Sequence, residues 1–249
     1  MTMLSHAKAR INNRLARLVG TTPFRLLNQK PMVSFTFDDV PKTAVTVGAE
    51  ILKEYSSLGT FYVAGSLLDS PSPLWTAASG DDIVALHRDG HEIGCHTFSH
   101  RQTCDLDAAA MAAEIERNGR FLRSLDDTIR IENFAYPFGV AAVLRKSQLG
   151  TMFRSSRGIF PGVNSGKVDL QFLYAIPLIS GQIDCDAIDR TYDEALRCNG
   201  WVVFYGHDVA ASPSPYGCSP QLLRHALEAA SRRNIQALTM SQALSSAGA

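Results

Sequence analysis

Short apolar runs alternate along this chain with longer stretches whose apolar residues recur at helical spacing. The runs predict strands at 32–37, 60–64, 91–95, 132–136, 152–155, 171–177, 201–205 and 235–238. The stretches between them predict helices at 43–57, 80–89, 105–125, 140–149, 186–199 and 219–233. The clearest helix is 105–125, where Met111, Ile115, Leu122 and Leu125 keep helical spacing and Asp105 or Asp107 can cap the start. Strand–helix alternation implies parallel strands joined by crossovers, either a barrel or a doubly wound sheet. Ahead of it, Lys8, Arg10, Arg14 and Arg17 are interleaved with Ile11, Leu15, Leu18 and Val19. That pattern reads as a peripheral helix packed on the domain, or as a basic amphipathic helix with membrane-surface contact through residues 8–19.

The expected organisation is an N-terminal peripheral segment, 1–30, followed by one catalytic domain, 31–249. No repeat or linker divides the second part, and the Ser-Pro stretches at 70–73 and 212–215 read as loops. With 45% hydrophobic and 19% charged residues, the chain can bury a full core. Lys+Arg and Asp+Glu balance at 24 each, which argues against a nucleic-acid partner recruited by bulk charge. Five cysteines without a C-x-x-C pair fit a reducing compartment. The first thirty residues lack the apolar core of a signal peptide, and no run approaches the ~18 apolar residues of a membrane span, so a cytoplasmic location is expected.

The chemistry gathers at strand ends. The run 32–37 leads directly into Asp38 and Asp39, and the run 91–95 into His96, with His100 four residues on. Two imidazoles and a carboxylate are a donor set for a catalytic divalent metal, which holds and acidifies a water, and they leave one carboxylate over as a general base. Taken singly, the Asp pair is equally a turn or helix cap, and the His pair a surface coincidence. Pro137-Phe138 and His207-Asp208 also follow predicted strands, and polar groups at several strand C-termini favour the barrel. Cys95 reads as a small buried hydrophobe, and Tyr136 and Trp201 as core aromatics. His6 and His225 read as incidental, and His87 and His91 as exposed turn residues.

These segments resemble the NodB-like polysaccharide deacetylases, carbohydrate esterase family 4. Thr36-Phe37-Asp38-Asp39 is similar to that family's first motif, His96-Thr97-Phe98-Ser99-His100 to its second, Ala135-Tyr136-Pro137-Phe138-Gly139 to its third and Tyr205-Gly206-His207 to its fifth. The resemblance implies a distorted (β/α) barrel of about seven strands. It implies Asp38 as base, Asp39, His96 and His100 as metal ligands, the Phe138 N–H as oxyanion donor and His207 as general acid. Zinc is the expected metal, with cobalt, nickel or manganese compatible with the same donors. The chain departs from the family at Ala135, where an arginine normally pairs with the base. Arg157 is the candidate replacement, or else a loop cation. Asp208 reads as a partner for His207 or a helix cap. The fourth motif has no clear match, and Tyr205 replaces an aliphatic residue. The implied activity is hydrolytic removal of an acetyl group from an N- or O-acetylated sugar or polysaccharide. Hydrolysis of a small cyclic amide or imide, and non-catalytic carbohydrate binding, are the alternatives.

Overall fold

The computed structural model describes residues 3–249, with side chains from Arg10 onward; His6 and Lys8 therefore lie outside the described side chains. The strands are β1 (Pro23–Arg25), β2 (Met32–Asp38), β3 (Thr60–Val63), β4 (Glu92–Cys95), β5 (Asn133–Ala135), β6 (Ser155–Arg157), β7 (Lys167–Asp169), β8 (Ile176–Pro177), β9 (Trp201–Gly206) and β10 (Gln236–Ala237). The helices are α1 (Met3–Leu18), α2 (Glu50–Glu54), α3 (Gly80–Arg88), α4 (Ala108–Leu125), α5 (Lys146–Gly150), α6 (Cys185–Cys198), α7 (Pro220–Arg232) and α8 (Met240–Ser246).

Every residue of β2 is buried, as expected of a central strand covered on both faces. Seven parallel strands run in the order β6-β5-β4-β3-β2-β9-β8, and β10 pairs with the first residues of β2. The result is an open half-barrel, an α/β fold of the distorted-barrel type. The period-two alternation of β2 divides its side chains between the two faces. Val33, Phe35 and Phe37 join Ile51, Tyr192 and Leu223 in the layer under the helices. Met32 instead joins Tyr62, Trp201 and Met240 in a second cluster, closed from below by α8. Asp38 is in step with Met32, so it reaches the mouth on that inner face.

Several predicted boundaries shift. The strand expected at 152–155 begins only at Ser155, and that expected at 171–177 shrinks to β8. The helix expected at 43–57 is a π-helical turn, Ala44–Ala49, running into α2, and 140–149 keeps only a 3-10 turn before α5. The antiparallel pair β1–β7 and helix α8 carry no strong periodicity and were not expected. Asp107, not Asp105, caps α4 by accepting from the Ala110 N–H. Among the described residues no helix is long and apolar enough to cross a membrane. Helix α1 is tied down at its end by Lys146, a fully buried lysine whose Nζ donates to the Ala16 and Val19 carbonyls, both at 2.6 Å, and pairs with Asp169.

His91 corrects the expectation of an exposed turn residue. It is buried, its ring meets Phe61 edge-on, and its Nδ1 accepts the Gly59 N–H at 3.0 Å. Only a neutral ring can accept there, and burial lowers its pKa below the ordinary value. The unfolded chain therefore protonates first. His91's contribution to stability is complete above the unfolded pKa of about 6.5 and declines as pH falls below it. Urea unfolding at pH 7.5 and pH 5 should show a smaller acid-induced loss in His91→Gln than in the parent. An identical loss would mean that the ring does not titrate in this window.

Candidate active site

Four strand ends converge at the mouth of the half-barrel. Asp38 closes β2, Asp39 follows it, His96 follows β4, and the β6 residue Arg157 and the β9 extension His207 face them. Arg157 is fully buried and donates from a terminal guanidinium nitrogen to Asp38 Oδ1. Its guanidinium lies 5.1 Å from the Tyr62 ring centre and 5.4 Å from that of Tyr205, a cation between two aromatic faces. It is thus no loop cation. Ala135 and Arg157 are register partners on β5 and β6, so the cation rises from the strand beside the one where the motif arginine would stand.

Burial pushes the Asp38 carboxyl up, but Arg157, with His96 and His207, pulls it further down and leaves it below the usual carboxylate range. Asp39 behaves oppositely: burial and the neighbouring Asp38 charge push it up to about 7, against Arg157. Burial takes His96 down to about 4 and, with His96 beside it, His100 down to about 3.

One ligand atom from each of Asp39, His96 and His100 falls within a common 4.8 Å. Asp39 Oδ1 lies 3.7 Å from His96 Nε2 and 3.2 Å from His100 Nε2. It is nevertheless buried without a hydrogen bond. His96 turns Nδ1 to the Ala135 carbonyl at 2.8 Å, which fixes that nitrogen as the N–H and leaves the Nε2 lone pair toward Asp39. An orphaned carboxylate oxygen facing two neutral imidazoles fits a divalent cation by its chemistry.

The backbone around this cluster is unusual. Asp39, Thr97, His100 and Phe138 have φ of 58°, 60°, 50° and 58°. Left-handed non-glycine residues cost ~1–3 kcal/mol each and persist only where their surroundings hold them. Gly139 follows Phe138 at φ +63°, and a Cβ there would meet Ile159 at 2.3 Å, so this position requires glycine.

Two supports lie outside every motif. Glu114, on α4, accepts from the backbone N–H groups of Phe98 and Ser99 and from the Ser99 hydroxyl, holding the loop between the two histidines. Asn13, on α1, donates to the Gly139 carbonyl at 2.9 Å and accepts from the Ala141 N–H at 2.8 Å, bracketing the Phe138 turn. Neither had a signal in the sequence beyond its polarity. If Asp39, His96 and His100 hold a divalent cation, Glu114→Ala should weaken its binding by roughly 10–100-fold, the usual effect of removing a group that orients metal ligands. Competition with a chromophoric chelator measures this, and an unchanged affinity would show that the loop holds itself.

His207 is half-buried, with Nε2 3.9 Å from Asp39 Oδ2 and Nδ1 3.2 Å from the Tyr216 carbonyl. Burial lowers its pKa, against Asp38 and the Tyr216 carbonyl. Asp208 neither orients it nor caps a helix. Its carboxylate accepts from the Ser214 N–H at 2.8 Å and the Ser214 hydroxyl at 2.5 Å, and so folds the 208–218 loop. Phe138 is half-exposed with its ring centre 4.3 Å from that of His100. His207 and Phe138, with Asp38, Asp39, His96 and His100, line a cavity of about 940 Å³ whose walls include Arg10, Leu74, Trp75, Ile159 and Tyr216. The Trp75 ring centre is 5.5 Å from that of His207.

The polysaccharide deacetylase family model matches residues 27–149, the stretch that holds Asp38, Asp39, His96, His100 and Phe138. A chitin deacetylase from Colletotrichum lindemuthianum is 30% identical over 115 residues, which is 46% of this chain and 42% of that protein. A chitooligosaccharide deacetylase from Azorhizobium caulinodans is 28% identical over 120 residues, 46% of this chain and 51% of that one. The matched stretch thus spans about half or less of the curated relatives. In fold, the solved chitin deacetylase from Colletotrichum lindemuthianum is similar at a TM-score of 0.63 and 18% identity, covering 90% of this chain and 92% of that one. A CE4 family pseudoenzyme from Bacillus anthracis reaches 0.62 at 13% identity, covering 89% and 68%. Residues 27–149 thus match the polysaccharide deacetylase family over the stretch that carries the motifs at 36–39, 96–100 and 135–139, and a solved chitin deacetylase and a solved CE4 family protein share the fold.

Proposed function

We propose that this chain is a metal-dependent hydrolase that removes an acetyl group from an N-acetylated amino sugar, or from an O-acetylated sugar, with Asp38 as base and His207 as acid. The observation that carries this reading is the buried Asp38–Arg157 pair beside Asp39, His96 and His100. The fold alone does not carry it, because a described pseudoenzyme shares that fold. A divalent cation held by Asp39, His96 and His100, zinc by its donor preference, supplies the Lewis acid that acidifies water and polarises the acyl carbonyl.

The side chains divide the remaining work. Arg157 keeps Asp38 ionised, so the carboxylate can accept a proton as water attacks. The Phe138 N–H, held by the turn that Asn13 brackets, is the donor for the oxyanion; one such donor typically contributes ~2.7–4 kcal/mol. An amine leaves only when protonated, and the Nε2 of His207 faces the site to deliver that proton. Its Nδ1 hydrogen bond to Tyr216 holds the ring in place. For donation Nε2 must carry a proton of its own, a state that Asp38 and the Tyr216 carbonyl favour and burial opposes. Trp75 and Tyr216 supply flat apolar surface for a sugar ring in the same cavity.

The test is acetate release from N-acetylated chitooligosaccharides by zinc-reconstituted protein, with an acetylated xylan and a cyclic imide in parallel. Acetate from either carbohydrate supports the reading. Ring opening of the imide alone replaces it with cyclic amide hydrolysis. Binding of the sugars without turnover of any substrate replaces it with a carbohydrate-binding role.

A further inference from the structure

Helix α1 packs in an unusual sense. It meets the body through Asn13, the buried Ala16 and Arg17, whose guanidinium lies 4.1 Å from the Phe160 ring centre, while its large apolar residues face outward: Ile11 is 60% exposed, Leu15 42% and Leu18 68%. These three, at i, i+4 and i+7, form one stripe along the helix. Arg10, Arg14 and Arg17, all exposed, have the same spacing and form the adjoining row. The sequence Met3–Leu18 holds no Asp or Glu, in a chain whose net charge is zero. Leu144, on the 3-10 turn that packs against α1, is exposed as well, at 80%.

We infer that this face of α1 docks on an anionic lipid surface, with Ile11, Leu15 and Leu18 entering the headgroup layer and the arginine row meeting lipid phosphates. Charge decides among the possible occupants. A second copy joined by a two-fold axis would set the same patch against itself, and whichever way the axis runs its α1 brings no carboxylate to pair with the arginine row. Anionic headgroups supply the complementary sign along the whole row. Arg10 and Asn13 also line the cavity, so a bound bilayer lies beside the candidate active site. The inference does not depend on the proposed reaction, because vesicle binding can be read without turnover.

The experiment is flotation of the full chain with vesicles of phosphatidylcholine alone and of phosphatidylcholine with phosphatidylglycerol. Binding is expected to the anionic vesicles, weakened by salt, with little to the neutral ones. Leu15→Asp/Leu18→Asp should abolish it at unchanged melting temperature. Arg14→Ala, a milder change, should weaken it about fivefold. The inference is overturned if the parent chain does not float, if it binds both vesicles alike, or if the double variant floats as well as the parent. It is also overturned by a concentration-dependent dimer in lipid-free buffer that the double variant abolishes, since the face would then belong to self-association.

Discussion

Asp38→Asn should keep its metal and lose turnover by a factor of about 10²–10⁴, the usual consequence of removing a general base. The substitution preserves the shape of the side chain and removes its negative charge. It leaves the candidate ligand atoms of Asp39, His96 and His100 in place. Asp39→Asn should do the reverse and lose the metal, because a neutral amide oxygen is a poor substitute for a carboxylate between two imidazoles. Elemental analysis of chelator-washed, zinc-reconstituted protein, with initial rates on the same samples, reads both effects. If Asp38→Asn lost the metal and Asp39→Asn kept it, the two roles would be exchanged.

Arg157→Met should destabilise the fold by about 3–5 kcal/mol, the range for breaking a buried ion pair from one side. The side chain is wholly buried, and its removal leaves Asp38 in the same interior without its closest cation. Arg157→Lys should recover only part of the loss, since an ammonium cannot spread between the Tyr62 and Tyr205 rings as the planar guanidinium does. The double variant Asp38→Asn/Arg157→Met should be more stable than the two single losses added together, because it removes both charges. Urea unfolding of the four proteins gives the coupling directly. Additive losses would mean that the two residues contribute to stability independently.

Much of this arrangement was legible in the sequence because its signals are local. Runs of Val, Ile and Phe mark the central strands, and a strand end next to Asp-Asp or His-x-x-x-His needs no tertiary knowledge to be noticed. Local signals also explain what was misread. His91 precedes a strand next to Gly90, a turn by every local rule, yet its ring is covered by Phe61 and bonded to Gly59, thirty-two residues away. Strands 155–157 and 176–177 are too short for alternation to fix their limits. Asn13 braces a turn 126 residues distant, and Glu114 holds a loop fifteen or sixteen residues before it. Such contacts follow from how elements stack, and a linear pattern carries no trace of them. Arg157 was open from sequence for the same reason: its meaning depends on the β5–β6 register.

That register also limits how the site can change by substitution. An arginine on β5 and an arginine on β6 are two routes to one carboxylate, and this chain uses the second. Passage between them one residue at a time goes through a chain with neither guanidinium or with both. The first leaves Asp38 buried and unpaired. The second crowds two cations into an interior where Ala135 and Arg157 are already sealed from solvent. Both intermediates are penalised, so exchanging the alanine at 135 or the arginine at 157 alone should be tolerated far less well than exchanging the pair.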